Sequence, residues 1–145
     1  MTCRAVWQYH TRNLHTMNMN TPDILVIEDD PIMREALADW LQAAGYAVRT
    51  AADGAAGLAA VQFAPPTLVV TDIHIPGING AAVISEVKRR YPRIAVIAIS
   101  GLFNSGHGLD AEAALALGAS RVLAKPFKRA ELLRALAELL GRPGP

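Results

Sequence analysis

Short apolar runs alternate with helix-periodic segments from residue 23 onward. A strand buried on both faces of a parallel sheet has a nearly continuous apolar run, whereas a half-buried strand alternates. Two segments are continuous apolar runs (24–27 and 94–99), one alternates (46–50), and two are short and mostly apolar (67–71 and 121–124); each predicts a strand. The sequence therefore contains five candidate strands, separated by stretches long enough for helices.

The segments between the runs have apolar residues at three- and four-residue steps. They predict helices at 31–44, 53–63, 81–90, 110–117 and 128–140. Asp30 and Pro31 are a typical helix cap and first helical residue, and Gly45 is a typical helix end. Lys88, Arg89 and Arg90 are expected to form a solvated helix end. Strictly alternating strands and helices indicate an α/β domain with a parallel sheet and helices on both faces.

Composition excludes several classes of protein. The chain has 145 residues, of which 52% are apolar and 19% charged, so it can form a core and does not resemble a disordered chain. It has no apolar run of the roughly 20 residues that span a bilayer, and a net charge of +1 gives no electrostatic case for nucleic-acid binding. Its single cysteine, Cys3, cannot form an internal disulfide, which favours a reducing compartment.

The two ends of the chain differ from the middle. Residues 1–21 contain no acidic residue and show neither a helical nor a strand periodicity, so we expect a disordered tail there. A domain at 22–141 and a short tail at 142–145 would follow. Met17 and Met19 are alternative candidate starts. Cys3, His10 and His15 do not have the spacing of a structural zinc site.

Chemically active side chains collect at the ends of the predicted strands. In doubly wound sheets, sites form outside the carboxyl ends of the strands. The residues at those positions are Glu28, Asp29, Asp30, Asp72, Ser100 and Lys125. Gathered carboxylates repel each other, which raises at least one pKa, and their oxygens suit Mg²⁺ better than zinc. A carboxylate beside a cation, a lysine and a hydroxyl is an arrangement for phosphoryl transfer, with the carboxylate as nucleophile. For Asp30 the helix-cap role is favoured over metal binding.

Four motifs in order resemble the receiver domain of bacterial two-component response regulators, and the chemotaxis regulators among them. They are ILVIEDD, VVTDIHIPGINGAAVI, VIAISG and GASRVLAKPF, and the resemblance covers residues 23–140. It implies a flavodoxin-like fold, with a doubly wound five-stranded parallel sheet in the order 2-1-3-4-5 and five helices. It also implies a cytoplasmic signalling protein that is no enzyme beyond its own Mg²⁺-dependent phosphorylation and dephosphorylation.

The resemblance also implies a role for each matching residue. Asp72 would be the phosphoacceptor and would also bind Mg²⁺, for which Mn²⁺ could substitute. Asp29 would bind the ion directly, and Glu28 directly or through a water molecule. The backbone carbonyl of His74 would be a further metal ligand.

Two more positions match the family's pattern. Ser100 would donate a hydrogen bond to a phosphoryl oxygen, and Lys125 would pair with another. The bond between Lys125 and Pro126 would be cis.

The implied partners are a histidine kinase or histidine phosphotransfer protein and a downstream protein. The downstream protein would bind the face formed by the fourth helix, fifth strand and fifth helix. We expect no direct binding to nucleic acid or membrane, and a monomer or weak homodimer. Because five residues follow Leu140, output would come from binding or relay, and whether the chain is a piece of a longer protein stays open.

The sequence departs from the family at two places. Val122 stands where the family often has an aromatic switch residue, and the loop between Ser100 and Gly118 is longer than in the chemotaxis regulator. We hypothesise that this glycine-rich loop carries the conformational response instead.

Val122 also supports an alternative function, a pseudo-receiver that binds partners without phosphorylation. A third possibility, an aspartate-based phosphohydrolase, ranks low because His74 stands where such enzymes commonly have a second acid.

Overall fold

The computed structural model describes residues 21–101 and 109–141, and within them ten elements alternate along the chain. The strands are β1 (Asp23–Ile27), β2 (Ala47–Ala51), β3 (Leu68–Asp72), β4 (Ala95–Ser100) and β5 (Arg121–Ala124). The helices are α1 (Pro31–Ala43), α2 (Gly54–Phe63), α3 (Gly80–Arg90), α4 (Leu109–Leu117) and α5 (Arg129–Leu140). In the described ranges no helix has the length and apolarity needed to cross a membrane.

The five strands form one parallel sheet in the order β2-β1-β3-β4-β5. This is the flavodoxin-like α/β fold that the sequence predicts. Every residue of β3, the central strand, is buried, whereas both ends of β5 are exposed at the sheet's edge. The carboxyl ends of all five strands therefore lie at the same edge of the sheet.

The sheet separates two apolar cores. On one face, residues of β1, β3 and β4 pack with α2, α3 and α4, as shown by the buried Leu25, Val69 and Val83. On the other face the alternate strand residues pack with α1 and α5, as shown by Leu37 and Leu132. Both faces of the central strands are covered, which explains their nearly continuous apolar sequence.

Side-chain caps define where the helices begin. Asp30 accepts a hydrogen bond from the amide of Ile32 (3.0 Å), so its predicted cap role is confirmed. Asp53 and Asn79 cap α2 and α3 in the same way. These side chains satisfy amides that have no partner inside the helix.

Several predicted boundaries are wrong by one residue. Tyr46 still belongs to the turn after α1, because its amide donates to the peptide oxygen of Leu41 (3.1 Å), and β2 therefore begins at Ala47. Asp72 and Ser100 are the last residues of β3 and β4 rather than the first residues after them. Both are thus held in the hydrogen-bonded sheet.

The prediction for Lys88 is also wrong. Its ammonium donates to the peptide oxygens of Pro92 (2.9 Å) and Ile94 (2.7 Å), so it closes the connection after α3 instead of lying free in solvent. Arg89 and Arg90 are exposed, as predicted, and both pair with Glu86.

Three sequence-based expectations concern residues outside the described ranges. They are the N-terminal tail, residues 142–145 and the glycine-rich part of the loop after β4, at 102–108. These expectations stay predictions.

Candidate functional site

Residues from four strand ends meet at the carboxyl edge of the sheet. Glu28 directly follows β1, Asp72 and Ser100 end β3 and β4, and Lys125 directly follows β5. The Lys125 ammonium lies 2.6 Å from Asp72 Oδ2 and 3.3 Å from Glu28 Oε1. The predicted convergence of the acids and the lysine is therefore present.

Three carboxylates form one cluster at this edge. Glu28, Asp29 and Asp72 each have an oxygen within 4.8 Å of the others. Carboxylate oxygens gathered this closely could hold a small divalent cation between them. The donor set consists only of oxygens, as Mg²⁺ prefers, and the cluster is typical of a receiver Mg²⁺ site.

Glu28 is the most deeply buried of the three acidic residues. It is 1% exposed, and its amide donates to the peptide oxygen of Ala51 (3.1 Å). Its Oε2 accepts from the amide of Asp30 (3.2 Å), while Oε1 faces Lys125. Burial raises the pKa of Glu28, and the nearby negative charge of Asp72 adds to this, against the Asp30 hydrogen bond and the Lys125 charge. The pKa of one carboxyl in the cluster is therefore raised, as predicted, but burial rather than repulsion between the carboxylates is the largest cause.

Asp72 is held on both sides of its carboxylate. Oδ1 accepts from the amide of His74 (2.8 Å) and Oδ2 accepts from Lys125. A side chain on Gly80 would overlap the Asp72 peptide oxygen, so the start of α3 lies directly against the strand end. Asp72 as a whole residue is 5% exposed. One of its carboxylate oxygens lies at the edge of the sheet with those of Glu28 and Asp29.

Lys125 supplies the positive charge of the site. Burial opposes that charge, but the hydrogen bond to Asp72 and the charges of Asp72 and Glu28 outweigh it, so the pKa of Lys125 is raised. The lysine is therefore an ammonium at neutral pH. The peptide bond between Lys125 and Pro126 is cis, as the resemblance implies.

Ser100 and His74 lie beside this cluster, whereas Val122 lies two residues before the end of β5. Ser100 is 6% exposed, and its peptide oxygen accepts from the amide of Lys125 (2.7 Å). The role of its hydroxyl stays a prediction. His74 contributes its amide to Asp72, and metal binding by its carbonyl stays a prediction as well. Val122 packs as a partly buried side chain against the core on the α3 side of the sheet.

One contact of the site was missed from the sequence. Arg34, on α1, donates from Nη1 to the peptide oxygens of Glu28 (2.9 Å) and Asp29 (3.4 Å). A cation near the start of a helix opposes the helix dipole, and that unusual placement is the signal that could have drawn attention to it.

The sequence also matches a known protein family. The response regulator receiver domain matches residues 24–137, which is most of the chain. The chain belongs to this family. A receiver is a signalling module rather than a classical enzyme, and receiver domains generally partner histidine kinases.

Individual relatives agree with the family assignment. The transcriptional regulatory protein FixJ of Azorhizobium caulinodans is 38% identical over 117 residues, covering 81% of this chain and 54% of FixJ. The receiver domain of NtrX from Brucella abortus is 35% identical with a TM-score of 0.74, covering 81% of this chain and 98% of that domain. The chemotaxis protein CheY4 of Vibrio cholerae is 28% identical with a TM-score of 0.75, covering 83% and 99%. The chain spans about half the length of the curated relatives BaeR, ycf27 and PrrA.

Proposed function

We propose that this receiver accepts a phosphoryl group on Asp72 from a histidine kinase or a histidine phosphotransfer protein, and that phosphorylation changes which protein it binds. The observation that carries the proposal is the Asp72 carboxylate itself. It ends the central strand, contacts Lys125 at 2.6 Å and shares the acidic cluster with Glu28 and Asp29. A carboxylate between a lysine and a set of Mg²⁺-type ligands is suited to phosphoryl transfer.

The transfer step uses a carboxylate oxygen of Asp72 as the nucleophile. A P–O bond to Asp72 forms as the P–N bond of a phosphohistidine breaks, and the imidazole nitrogen keeps the electron pair. A Mg²⁺ ion held by Glu28, Asp29 and Asp72 would supply positive charge to the phosphoryl oxygens. Hydrolysis of the acyl phosphate by water later releases inorganic phosphate and restores the carboxylate.

Lys125 and Ser100 would bind the phosphoryl group from the neighbouring strands. The Lys125 ammonium now pairs with Asp72 and Glu28, and it would move to a phosphoryl oxygen when Asp72 is modified. The Ser100 hydroxyl, at the end of the adjacent strand β4, would donate a hydrogen bond to another. Both shifts would alter the face formed by α4, β5 and α5, where we propose that the downstream protein binds.

The phosphodonor would approach over the start of α1. Ile32 is 78% exposed there, next to the acidic cluster, whereas Met33 packs partly against the core. An exposed isoleucine beside the site provides an apolar contact for a docking protein.

The test is the intact mass of the protein after incubation with acetyl phosphate and Mg²⁺, using rapid quenching. We expect one added phosphoryl group, lost in Asp72→Asn and in the presence of EDTA. Asp30→Asn is the matched control, because it removes a carboxylate from the same loop but keeps a side chain that can cap α1. Absence of labelling in the wild-type protein would instead support the pseudo-receiver function.

A further inference from the structure

We propose that Arg34 is a positioning residue for the Mg²⁺ site, and that it acts by fixing the backbone from which Glu28 and Asp29 project. This inference rests on the proposed function, because it concerns the ion that phosphorylation of Asp72 would use.

The geometry places one guanidinium on two consecutive peptide groups. Arg34 lies in the first part of α1, and its own amide donates to the peptide oxygen of Asp30 (2.8 Å). From there Nη1 reaches back to the peptide oxygens of Glu28 (2.9 Å) and Asp29 (3.4 Å). The residues that carry two of the three clustered carboxylates are thus tied to α1 by a side chain that is itself half-buried.

The need for such a tie differs between the two acids. The Glu28 carboxylate is buried and bonded to Asp30 and Lys125, so its position has several supports. Asp29 is exposed and has fewer fixed contacts, so the backbone that carries it has a larger share in directing its carboxylate toward the cluster. Outer contacts of this kind orient metal ligands, and their loss typically weakens metal binding by about 10–100-fold.

The positive charge of Arg34 by itself would weaken Mg²⁺ binding, whereas its hydrogen bonds would strengthen it. The positive charge of Arg34 lies beside a site for a divalent cation and near the start of a helix, and both placements are unfavourable for a cation. Removing the charge should therefore tighten Mg²⁺ binding if charge were the main effect. Removing the hydrogen bonds should weaken it if positioning were the main effect.

Replacing Arg34 with lysine separates the effect of the side chain's geometry from the effect of its charge. A guanidinium presents several donors in a rigid plane, whereas an ammonium on a flexible stem is a point charge. Arg34→Lys keeps the charge but not the rigid contact, and Arg34→Gln removes both. Arg49→Gln is the matched control, since Arg49 also donates to peptide oxygens, those of Ala60 and Ala64, but at the amino-terminal part of the sheet beside Asp23.

The experiment is calorimetric titration of each folded variant with MgCl₂ in the absence of a phosphodonor. We expect the dissociation constant to rise by about tenfold or more in Arg34→Gln and by several-fold in Arg34→Lys, and to stay within twofold in Arg49→Gln. In acetyl phosphate labelling, the Mg²⁺ concentration for half-maximal rate should rise in parallel, while the rate at saturating Mg²⁺ changes less. Arg34→Lys carries the test if Arg34→Gln does not fold.

Three outcomes would overturn the inference while leaving the proposed function intact. They are unchanged Mg²⁺ binding in both variants, tighter binding in Arg34→Gln, or wild-type binding in Arg34→Lys. If the wild-type protein does not bind Mg²⁺, the proposed function fails and this inference fails with it.

Discussion

Replacing Gly80 with alanine tests whether the contact between α3 and the end of β3 positions Asp72, the proposed acceptor. Gly80 is the first residue of α3, and its amide donates to the peptide oxygen of Ile73 (2.9 Å). An added Cβ would overlap the Asp72 peptide oxygen and lie 2.5 Å from the Cα of Ile73. The start of the helix and the backbone of Asp72 must then move apart.

The magnitude follows from that overlap. Real Cβ contacts essentially never fall below 3.0 Å, so the 2.5 Å contact requires a shift of about half an ångström or more. Overpacking of this kind costs about 1–3 kcal/mol, and the lower entropy of the unfolded alanine chain returns about 0.4–1 kcal/mol. We expect a net loss of about 1–2 kcal/mol in the free energy of unfolding. Because a misplacement of about 1 Å can lower a rate about 100-fold, phosphorylation of Asp72 should slow about tenfold.

Gly77→Ala is the matched control. Gly77 has φ +75°, so an alanine there is strained by roughly 1–2 kcal/mol, but nothing lies within 4 Å of the added carbon. Urea unfolding and the rate of acetyl phosphate labelling are measured on both variants. Similar destabilisation with slow labelling in Gly80→Ala alone is the expected result. Equal labelling rates in the two variants would refute the argument that this contact positions Asp72.

Three further predictions concern charge and hydrogen bonding. Lys125→Met should lower the free energy of unfolding by about 1–3 kcal/mol without Mg²⁺, because it leaves clustered carboxylates unpaired. In urea titrations, saturating MgCl₂ should restore most of this loss. A loss that Mg²⁺ does not change would contradict the prediction. Burial raises the pKa of Tyr46, so its contribution to stability is present below its unfolded pKa of about 10 and lost as the pH rises further. Between pH 9 and 11, the free energy of unfolding of Tyr46→Phe should therefore fall less steeply than that of the wild type. Parallel declines in the two proteins would argue against a raised pKa of Tyr46. Lys88→Met should lower the free energy of unfolding by about 1–3 kcal/mol, because it removes two hydrogen bonds to peptide oxygens. The rate of Asp72 labelling should stay within twofold of the wild-type rate. Slower labelling would show that Lys88 also affects the site.

Much of the fold could be predicted because periodicity and helix caps are local properties. The short apolar segments and one alternating segment located all five strands, and Asp30 was recognised as a cap from its place before Pro31. The strand order came from the family resemblance, since periodicity alone does not say which strands are neighbours. The start of β2 was wrong because the amide of Tyr46 bonds back to the peptide oxygen of Leu41, five residues earlier, and keeps Tyr46 in the turn.

The site was predictable only as far as its side chains lie at strand ends. Asp72 and Lys125 lie 53 positions apart, and the parallel sheet brings their strand ends to one edge. Arg34 and Lys88 could not be found in this way, because their partners are peptide oxygens, which every residue carries. Only the folded path of the backbone shows which of these oxygens lie within reach.

The strands that carry Asp72 and Lys125 differ in how firmly they are held. β3 is central, fully buried and bonded on both sides, whereas β5 is a four-residue edge strand bonded only to β4. Amide hydrogens in β3 should therefore exchange with solvent only on global opening, and those of β5 through smaller fluctuations. Asp72, the proposed acceptor, would thus belong to the slowest-exchanging part of the domain and Lys125 to a faster one, so that the lysine could change partners while Asp72 keeps its place.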